Sequence, residues 1–265
     1  MKRQLIALAL SLSLLSPAAR AADLPNLSVN GTPVSLTGWV DRGTTYVPLR
    51  QFSTLLCPEA DVRWETDRAV VTHGDNVLTA VPGQRWITVN GHALYLPDGV
   101  AAREGSLYLP IRVLARAFGA SVTWEADTGM VSVTSGTGFS EPDYDPDALY
   151  WLSRIISAES RGESLEGQIA VGNVVLNRVA SPDFPNTIYG VIFDSRWGGQ
   201  FEPVENGTVY ADPAESSILA AKLCLSGANT VGDSLYFLDP KKAENLWTME
   251  NRNYVTTIGV HWFYA

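Results

Sequence analysis

The sequence predicts an α+β protein made of a duplicated, β-rich N-terminal module followed by a second α+β region. Two observations predict this architecture. Short strand-like segments separated by turn residues occur twice in the first half of the chain, about 60 residues apart. From residue 147 onward, apolar residues recur at helical spacing instead. Residues 136–146, rich in Gly, Pro, Ser and acidic residues, separate the two patterns and have the composition of a linker.

The first 21 residues have the pattern of a secretory signal peptide. Lys2 and Arg3 precede an apolar run, and small residues then form an Ala19-Arg20-Ala21 cleavage pattern. We therefore expect cleavage near Ala21 and a secreted protein. The alternative is an uncleaved membrane anchor, which is disfavoured because a spanning helix needs roughly 20 apolar residues. No other long apolar stretch occurs, so no stable membrane insertion is expected.

Charge and cysteine content narrow the classes of partner. The net charge is −9, and removal of Lys2, Arg3 and Arg20 with the leader would make it −12. So acidic a protein is not expected to bind nucleic acid or anionic membranes. Cys57 and Cys224 lie in different halves of the chain. They are either buried thiols, which we favour, or one bridge between the halves.

An internal duplication defines a module at residues 27–135. Three segments recur: VNG of 29–31 at 89–91, YVPLR of 46–50 as YLPIR of 108–112, and VRWE of 62–65 as VTWE of 122–125. Each copy predicts a hairpin with an Asn-Gly turn, a strand ending in Pro, a short amphipathic helix and a second hairpin. The first copy has two extra residues near Cys57.

These repeated motifs resemble the copper amine oxidase N-terminal-like domain, a stalk module of exported bacterial wall proteins. The resemblance implies a spacer or wall-binding role without catalysis. No copper site is expected, since His73 and His92 lack a second ligand at metal spacing, and we interpret both as surface or hairpin residues. Trp64 and Trp124 occupy equivalent positions beside apolar residues, which favours core packing over stacking on a carbohydrate.

One carboxylate in the second half is a candidate general acid. Glu159 follows Leu152, Ile155 and Ile156 at helical spacing, so it lies on the apolar face of a predicted helix. Partial burial raises the pKa of a carboxyl group, and the negative end of the helix dipole acts in the same direction. A glutamate in this setting is suited to general-acid catalysis. The alternative, a buried glutamate neutralised by Arg178 of the next helix, is equally compatible with the pattern.

Helix-boundary signals place Glu159 at a bend between two helices. Asp147 is expected to cap the first helix, and Arg161-Gly162 to end it. The second helix is expected to begin near Ser164 and to end before Ser181-Pro182. The short connection predicts a helical hairpin that presents Glu159 at its bend.

The motifs of residues 147–265 resemble, in order, the cell-wall hydrolase family of spore-cortex-lytic enzymes. They are ISAESRGE (156–163), EGQIAV and VVLNRV (166–179), FPNTI and GVI (184–192), QFEPV (200–204), LYF (235–237) and IGVHWFY (258–264). Ser160 and Val260 depart from the family pattern. The resemblance implies a lysozyme- and lytic-transglycosylase-like fold and cleavage between N-acetylmuramic acid and N-acetylglucosamine. It also assigns the catalytic glutamate to Glu159.

With peptidoglycan glycan strands as the implied substrate, five further residues are candidate substrate contacts: Gln200, Phe201, Glu202, Tyr236 and His261. They offer rings, an amide and a carboxylate. Tyr236 and Phe237 alternate along a predicted strand, so one should face the cleft and the other the core. His261 lies in an apolar terminal strand and is as compatible with a structural role as with a substrate contact. No cofactor or metal is expected, and the sequence identifies no protein partner.

The expected chemistry is that of a lytic transglycosylase. Glycoside cleavage usually needs two carboxylates, and the second is not obvious, although Glu202 or Glu205 could face the cleft. A single-acid route, in which the sugar's own C6 hydroxyl captures C1, fits better. A zinc amidase or endopeptidase is poorly supported because His261 is the one histidine of this half, and a Cys224–His261 peptidase is also disfavoured. A non-catalytic wall-binding or spore-coat protein is the alternative, and the sequence does not distinguish cortex from vegetative wall.

Overall fold

The computed structural model describes residues 22–24, 26–196, 199–243 and 247–265. The predicted signal peptide, residues 1–21, lies outside the described residues. Within the described part of the chain, no helix has both the length and the apolar character needed to cross a membrane. The predicted α+β class is confirmed, because strands dominate the first half and helices the second.

The first half is built from short strands and two short helices. Its strands are β1 (Ala22–Asp23), β2 (Leu27–Val29), β3 (Thr32–Pro33), β4 (Thr37–Asp41), β5 (Thr44–Pro48), β6 (Asp61–Glu65), β7 (Arg68–His73), β8 (Asn76–Ala80), β9 (Trp86–Val89), β10 (His92–Tyr95), β11 (Ala101–Arg103), β12 (Ser106–Pro110), β13 (Ser121–Glu125) and β14 (Met130–Thr134). Its helices are α1 (Leu49–Leu56) and α2 (Ile111–Ala117).

The second half consists mainly of helices, with one small sheet. Its helices are α3 (Pro146–Ser160), α4 (Leu165–Ala180), α5 (Ile188–Ile192), α6 (Glu202–Glu205), α7 (Glu215–Leu225) and α8 (Trp247–Asn251), and a 3₁₀ turn covers Thr208–Tyr210. Its strands are β15 (Tyr236–Leu238), β16 (Tyr254–Ile258) and β17 (His261–Tyr264), which form a sheet in the order β15-β17-β16.

The two copies of the duplication meet at a local two-fold axis in the central sheet, whose order is β1-β4-β5-β12-β11. Strands β5 and β12 pair antiparallel, with Val47 opposite its counterpart Leu109. On either side of that pair, Tyr46 lies opposite Pro110 and Pro48 opposite Tyr108. Because this register maps onto itself when the copies are exchanged, the two copies are related by a rotation of about 180°, as in an isologous interface.

The outer sheets exchange strands between the copies. One has the order β10-β9-β8-β7-β6 and the other β13-β14-β2-β3, so the second hairpin of each copy joins the first hairpin of the other. The turns Asn30-Gly31 and Asn90-Gly91 both have positive φ at both residues, as two-residue hairpins of this hand require. Both copies share one apolar core, which makes them a single module.

The tryptophans at the equivalent repeat positions are exposed, so the prediction that they pack in the core is wrong. Trp64 is 55% and Trp124 59% exposed. Each lies on an edge strand, β6 or β13, two residues after Val62 or Val122 and therefore on the same face of the strand. Apolar neighbours in the sequence did not reveal that the core ends before the strand does.

The two histidines of the module both lie in hairpins, as predicted. His73 pairs with Asn76 at the end of β7 and β8. His92 pairs with Val89 in the β9–β10 hairpin and is buried. Its ring lies 5.2 Å from that of Phe139 and 4.6 Å from that of Tyr144, so the segment at 136–146 covers it.

That segment also ties the module to the helices of the second half. The hydroxyl of Tyr144 accepts a hydrogen bond from the Ala93 backbone N–H (3.0 Å) and lies 2.8 Å from Ser226 Oγ. Arg116 donates to the Ser226 carbonyl at 2.8 Å, and Ala93 is buried in the core of the second half. Residues 136–146 are mostly exposed and form no helix or strand before Pro146, and they contact the two halves through Phe139 and Tyr144.

The helix boundaries in the second half largely follow the sequence signals. The cap of α3 is Asp145 rather than Asp147: its Oδ1 accepts from Ala148 N at 2.7 Å because Pro146 takes the first helical position. Ser164 caps α4 as predicted, and α4 ends at Ala180. Cys57 and Cys224 are both free, with Cys224 buried on α7.

Candidate active site

Glu159 lies near the C-terminal end of α3, on the face that holds the helix against the core. Leu152, Ile155 and Ile156 on that face are fully buried, whereas Glu159 is half-buried. Burial, assisted by the nearby negative charge of Glu202, raises the pKa of the Glu159 carboxyl to about 7. At neutral pH a substantial fraction of Glu159 is therefore protonated.

Arg178 of α4 organises the polar groups beside Glu159. Only 5% exposed, it donates from Nε to the Leu235 carbonyl (2.7 Å) and from a terminal nitrogen to Gln200 Oε1 (3.3 Å). Its guanidinium also lies 5.0 to 5.6 Å from the ring centroids of Phe184, Phe201 and Tyr236. Burial lowers the pKa of Arg178 to about 10, so it stays charged at neutral pH.

Arg178 influences Glu159 electrostatically without pairing with it. Its positive charge and that of Lys242 lower the pKa of Glu159, which limits the rise caused by burial and by Glu202. The ion pairs within 4 Å among the described residues do not include one between Arg178 and Glu159. The arginine donors bind Leu235 and Gln200 instead. Glu159 is therefore not neutralised by a direct ion pair with Arg178.

Three of the predicted substrate contacts surround this centre with accessible polar groups. Gln200 is half-buried, and its Oε1 accepts from Arg178, so its amide N–H groups remain to donate. Glu202 is exposed at the start of α6 and acts on Glu159 through its charge. Tyr236 is half-buried on β15, and its hydroxyl accepts from Arg252 at 3.1 Å.

The other two predicted contacts are buried and pack in the core. Phe201 is only 3% exposed, and its ring lies 6.4 Å from that of Phe237. It therefore has no free face for a sugar, contrary to expectation. Phe237 packs on Phe263, which makes it the core member of the alternating pair with Tyr236.

His261 is a packed residue of β17. It is 7% exposed and meets the Phe237 ring edge-on at 5.3 Å. Burial lowers the pKa of the imidazole, so it is neutral at pH 7. Its Nδ1 is buried with no hydrogen-bond partner among the described residues. This environment fits the structural role that the sequence left open beside a substrate contact.

Glu205, the other acidic candidate, and the nearby Glu163 are engaged elsewhere. The Glu205 carboxylate lies against Gly199, where a side-chain Cβ would overlap it. The Glu163 carboxylate accepts from Val260 N at 3.3 Å and would clash with any Cβ at Gly259, so it holds the turn between β16 and β17. Of the acidic candidates, Glu202 is the one whose charge acts on Glu159.

Sequence reasoning missed Lys242, and it considered Arg178 only as a possible ion-pair partner of Glu159. An arginine in the last turn of a helix rich in apolar residues was a detectable signal for a buried cation, but the sequence could not show that its donors face Gln200 and Leu235. Lys242 lies in an irregular loop after β15, where spacing carries no information on which side chains it approaches. A half-buried acid of raised pKa beside a carboxylate and two cations is an arrangement for proton transfer to a bound substrate.

Family comparisons agree with the two-part organisation. A model of the family described as Cell Wall Hydrolase matches residues 162–264, and one described as Copper amine oxidase N-terminal domain matches residues 28–133. A cell wall hydrolase CwlJ from Oceanobacillus iheyensis is 34% identical over 98 residues, which are 35% of this chain and 68% of that protein. The chain belongs to the cell wall hydrolase family.

Other members of the cell wall hydrolase family are also similar over the second half. A spore cortex-lytic enzyme from Bacillus cereus is 37% identical over 120 residues, which are 45% of each chain. The chain thus spans less than half the length of that relative. A solved catalytic domain of the germination-specific lytic transglycosylase SleB from Bacillus anthracis is 35% identical, with a TM-score of 0.43 over 48% of this chain and all of that one. Both sequence resemblances, of the repeats and of the second half, are confirmed.

Proposed function

We propose that the protein is an exported enzyme that cleaves peptidoglycan glycan strands between N-acetylmuramic acid and N-acetylglucosamine as a lytic transglycosylase. The observation that carries the proposal is the Glu159 carboxyl, half-buried beside Glu202 with a pKa of about 7. A group that is protonated in part at neutral pH can give a proton to a leaving oxygen and take one back. Relatives described as spore cortex-lytic enzymes support the choice of substrate.

In the first step, protonated Glu159 donates its proton to the glycosidic oxygen. The bond from that oxygen to C1 of the muramic acid breaks, and the N-acetylglucosamine end leaves with a new hydroxyl. Positive charge develops at C1 and its ring oxygen, and the exposed Glu202 carboxylate stabilises it electrostatically. Glu159 is left ionised.

In the second step, the C6 hydroxyl of the same muramic acid attacks C1. Ionised Glu159 accepts the proton of that hydroxyl, which restores the starting acid and gives a 1,6-anhydro product. No water is consumed, and one acidic residue serves both steps. Gln200, oriented by Arg178, and Tyr236 are positioned to bind the sugar through amide and ring contacts.

The proposed division of the chain is a signal peptide at 1–21, a spacer or wall-binding module at 27–135, a connecting segment at 136–146 and the catalytic region at 147–265. The proposed site of action is the cell wall or the spore envelope. Either vegetative wall or spore cortex fits the proposal, because the proposed reaction takes place on the glycan strand and not on the peptide stems.

The test is a comparison of wild type, Glu159→Gln and Glu205→Gln on purified vegetative sacculi and on purified cortex. We expect Glu159→Gln to lose about 10²- to 10⁴-fold in cleavage rate, the range for removal of a general acid. Glu205→Gln, whose carboxylate lies against Gly199, should stay near wild type. Mass spectrometry of the wild-type products should show 1,6-anhydromuramic ends.

The outcomes separate the competing functions. Products with only reducing ends would contradict the transglycosylase chemistry while leaving Glu159 as an acid of a hydrolase. Equal cleavage of the sacculi by Glu159→Gln and by wild type would show that Glu159 is not a catalytic residue. A folded wild type that clears neither substrate would favour the alternative, a wall-binding or spore-coat protein without activity.

A further inference from the structure

Two grooves in the duplicated module are related by its local two-fold axis. The first, about 500 Å³, lies between the start of α1, strands β6 and β7, and the β11–β12 hairpin. The second, about 580 Å³, lies between the start of α2, strands β13 and β14, and the β4–β5 hairpin. The helix start, the strands and the hairpin that line the first groove each have their repeat counterpart in the second, whereas Pro82 lines only the first groove and Pro97 and Asp98 only the second.

The correspondence extends to single side chains. Both grooves contain a tryptophan, an arginine and a hydroxyl at positions equivalent in the repeat: Trp64, Arg50 and Ser106 in the first, and Trp124, Arg112 and Thr44 in the second. The tryptophan and arginine come from one copy, and the hydroxyl comes from the other. Each groove therefore requires both copies, so the duplication builds the same site twice.

The tryptophans present open ring faces at these sites. Both are more than half exposed, although an indole gains free energy when it is buried. The Trp64 ring is held in place, because its Nε1–H donates to the carbonyl of Thr66 in the adjacent turn at 3.1 Å. Arg112 is likewise held, donating to the Val122 carbonyl at 3.0 Å. A positioned ring costs little ordering entropy when a ligand stacks on it.

We propose that the two grooves are equivalent glycan-binding sites, each taking an amino-sugar unit of a peptidoglycan strand. The apolar face of a pyranose ring stacks on the tryptophan. The arginine and the hydroxyl then hydrogen-bond to the sugar hydroxyl and acetamido oxygens. Two copies of one site suit a polymer that repeats the same sugars. The choice of peptidoglycan among glycans rests on the proposed function of the second half.

A glycan fits the grooves better than other ligands of aromatic surfaces. Single-stranded nucleic acid also stacks on tryptophan, but its phosphates require a cationic groove. The first groove is lined by three arginines, Arg50, Arg63 and Arg103, and by Glu104. Arg63 pairs with Asp61 at 2.8 Å and Glu65 at 2.6 Å, so these three carboxylates balance the three arginines, and the whole chain carries a charge of −9. A neutral, hydroxyl-rich ligand is compatible with this balance of charge.

The test measures binding rather than cleavage, with full-length protein carrying Glu159→Gln in every variant. We measure co-sedimentation of the protein with sacculi in the presence of one of three soluble competitors. These are glycan strands freed of their stem peptides, the stem peptides alone, and a proline-rich peptide. The variants are Trp64→Ala, Trp124→Ala, the double variant and Trp64→Phe. Leu55→Ala, an exposed apolar residue of α1 outside the grooves, is the matched control.

We expect each alanine variant to lose between about twofold and tenfold in affinity for the glycan strands, and the double variant to lose more. Trp64→Phe should retain most of the binding, and Leu55→Ala all of it. Unchanged binding by the double variant would overturn the proposal. So would competition by stem peptides or the proline-rich peptide but not by glycan strands. Failure of Glu159→Gln to abolish cleavage in the separate activity assay counts against the proposed chemistry alone.

Discussion

The first half of the chain buries few polar side chains, whereas the second half buries many, and its candidate site lies among these buried polar groups. Of the fourteen buried polar or charged residues described, three lie in the duplicated module: Ser28, Ser53 and His92. The other eleven lie in the second half, and Gln168, Asn173, Arg178, Asp194 and His261 are among them. Both halves have extensive apolar cores, so the difference is one of chemistry rather than of size.

This difference follows from whether the proposed ligand-binding residues of each half are exposed or buried. The module displays its tryptophans outside an apolar core, which costs little because exposed indole leaves that core intact. The second half must desolvate a carboxyl and a guanidinium to tune them, and burying charged groups costs free energy. We therefore expect truncation of a core side chain in the module to be destabilising, and removal of the Glu159 charge in the second half to be stabilising.

The largest expected effect is loss of a core ring in the module. Phe52 of α1 is fully buried, and Phe52→Ala should lower the free energy of unfolding by about 3–5 kcal/mol. Leu55→Ala, one turn away on the exposed side, should cost well under half as much. Denaturant titration of both variants measures the difference. A loss of under 1 kcal/mol for Phe52→Ala would mean that the module core is not the tightly packed unit described.

The next effect has the opposite sign. The pKa of Glu159 is raised from 4.5 to about 7 on folding, so the folded state disfavours the ionised form. That penalty is absent below the unfolded pKa, grows as the pH rises from about 4.5, and is complete above about 7. Glu159→Gln should therefore increase the free energy of unfolding at pH 8 by on the order of 2–3 kcal/mol.

The same variant should differ little from wild type near pH 4, where Glu159 is protonated in both the folded and unfolded states. Thermal unfolding at pH 4 and pH 8, with Glu205→Gln beside it, gives the measurement. Equal stability of Glu159→Gln and wild type at pH 8 would show that Glu159 is not desolvated. An increase at both pH values would point to packing rather than to charge.

The duplication made most of the module's architecture predictable. Repeated Asn-Gly turns and Pro-terminated strands identified the hairpins and both helices, because these signals act over a few residues. The exchange of strands between copies was not predictable, since a repeat specifies each unit but not which partner completes its sheet. Trp64 and Trp124 lie on edge strands of the sheets that this exchange forms, and the prediction that they pack in the core was wrong.

In the second half, helical spacing placed Glu159 correctly on a half-buried face, and Ser164 marked the start of α4. The contacts among separate loops were beyond the sequence. Gln200, Phe201 and Tyr236 all lie beside the Arg178 guanidinium, but Gln200 and Tyr236 stay half-buried whereas Phe201 is buried in the core. Side chains in an irregular loop follow no regular spacing, so the sequence could not show which of Gln200 and Phe201 is buried. Asp145 rather than Asp147 caps α3 because Pro146 occupies the first helical position, which makes the residue before it the cap.

The smallest expected effect tests the electrostatic link between Glu202 and Glu159. The negative charge of Glu202 raises the pKa of Glu159, so Glu202→Gln should lower that pKa. Cleavage that needs protonated Glu159 falls as pH rises through its pKa, and the alkaline limb of the rate profile should move to lower pH. We expect a displacement of less than about one pH unit, because an exposed carboxylate acts through water.

Glu205→Gln is the matched control, since both residues lie on α6 but only Glu202 acts on Glu159. Its alkaline limb should coincide with that of wild type. A loss of 10³-fold or more at all pH values in Glu202→Gln, without a moved limb, would identify Glu202 as a nucleophile or base. The second half would then hold two reacting carboxylates, and its products should carry reducing ends rather than 1,6-anhydro ends.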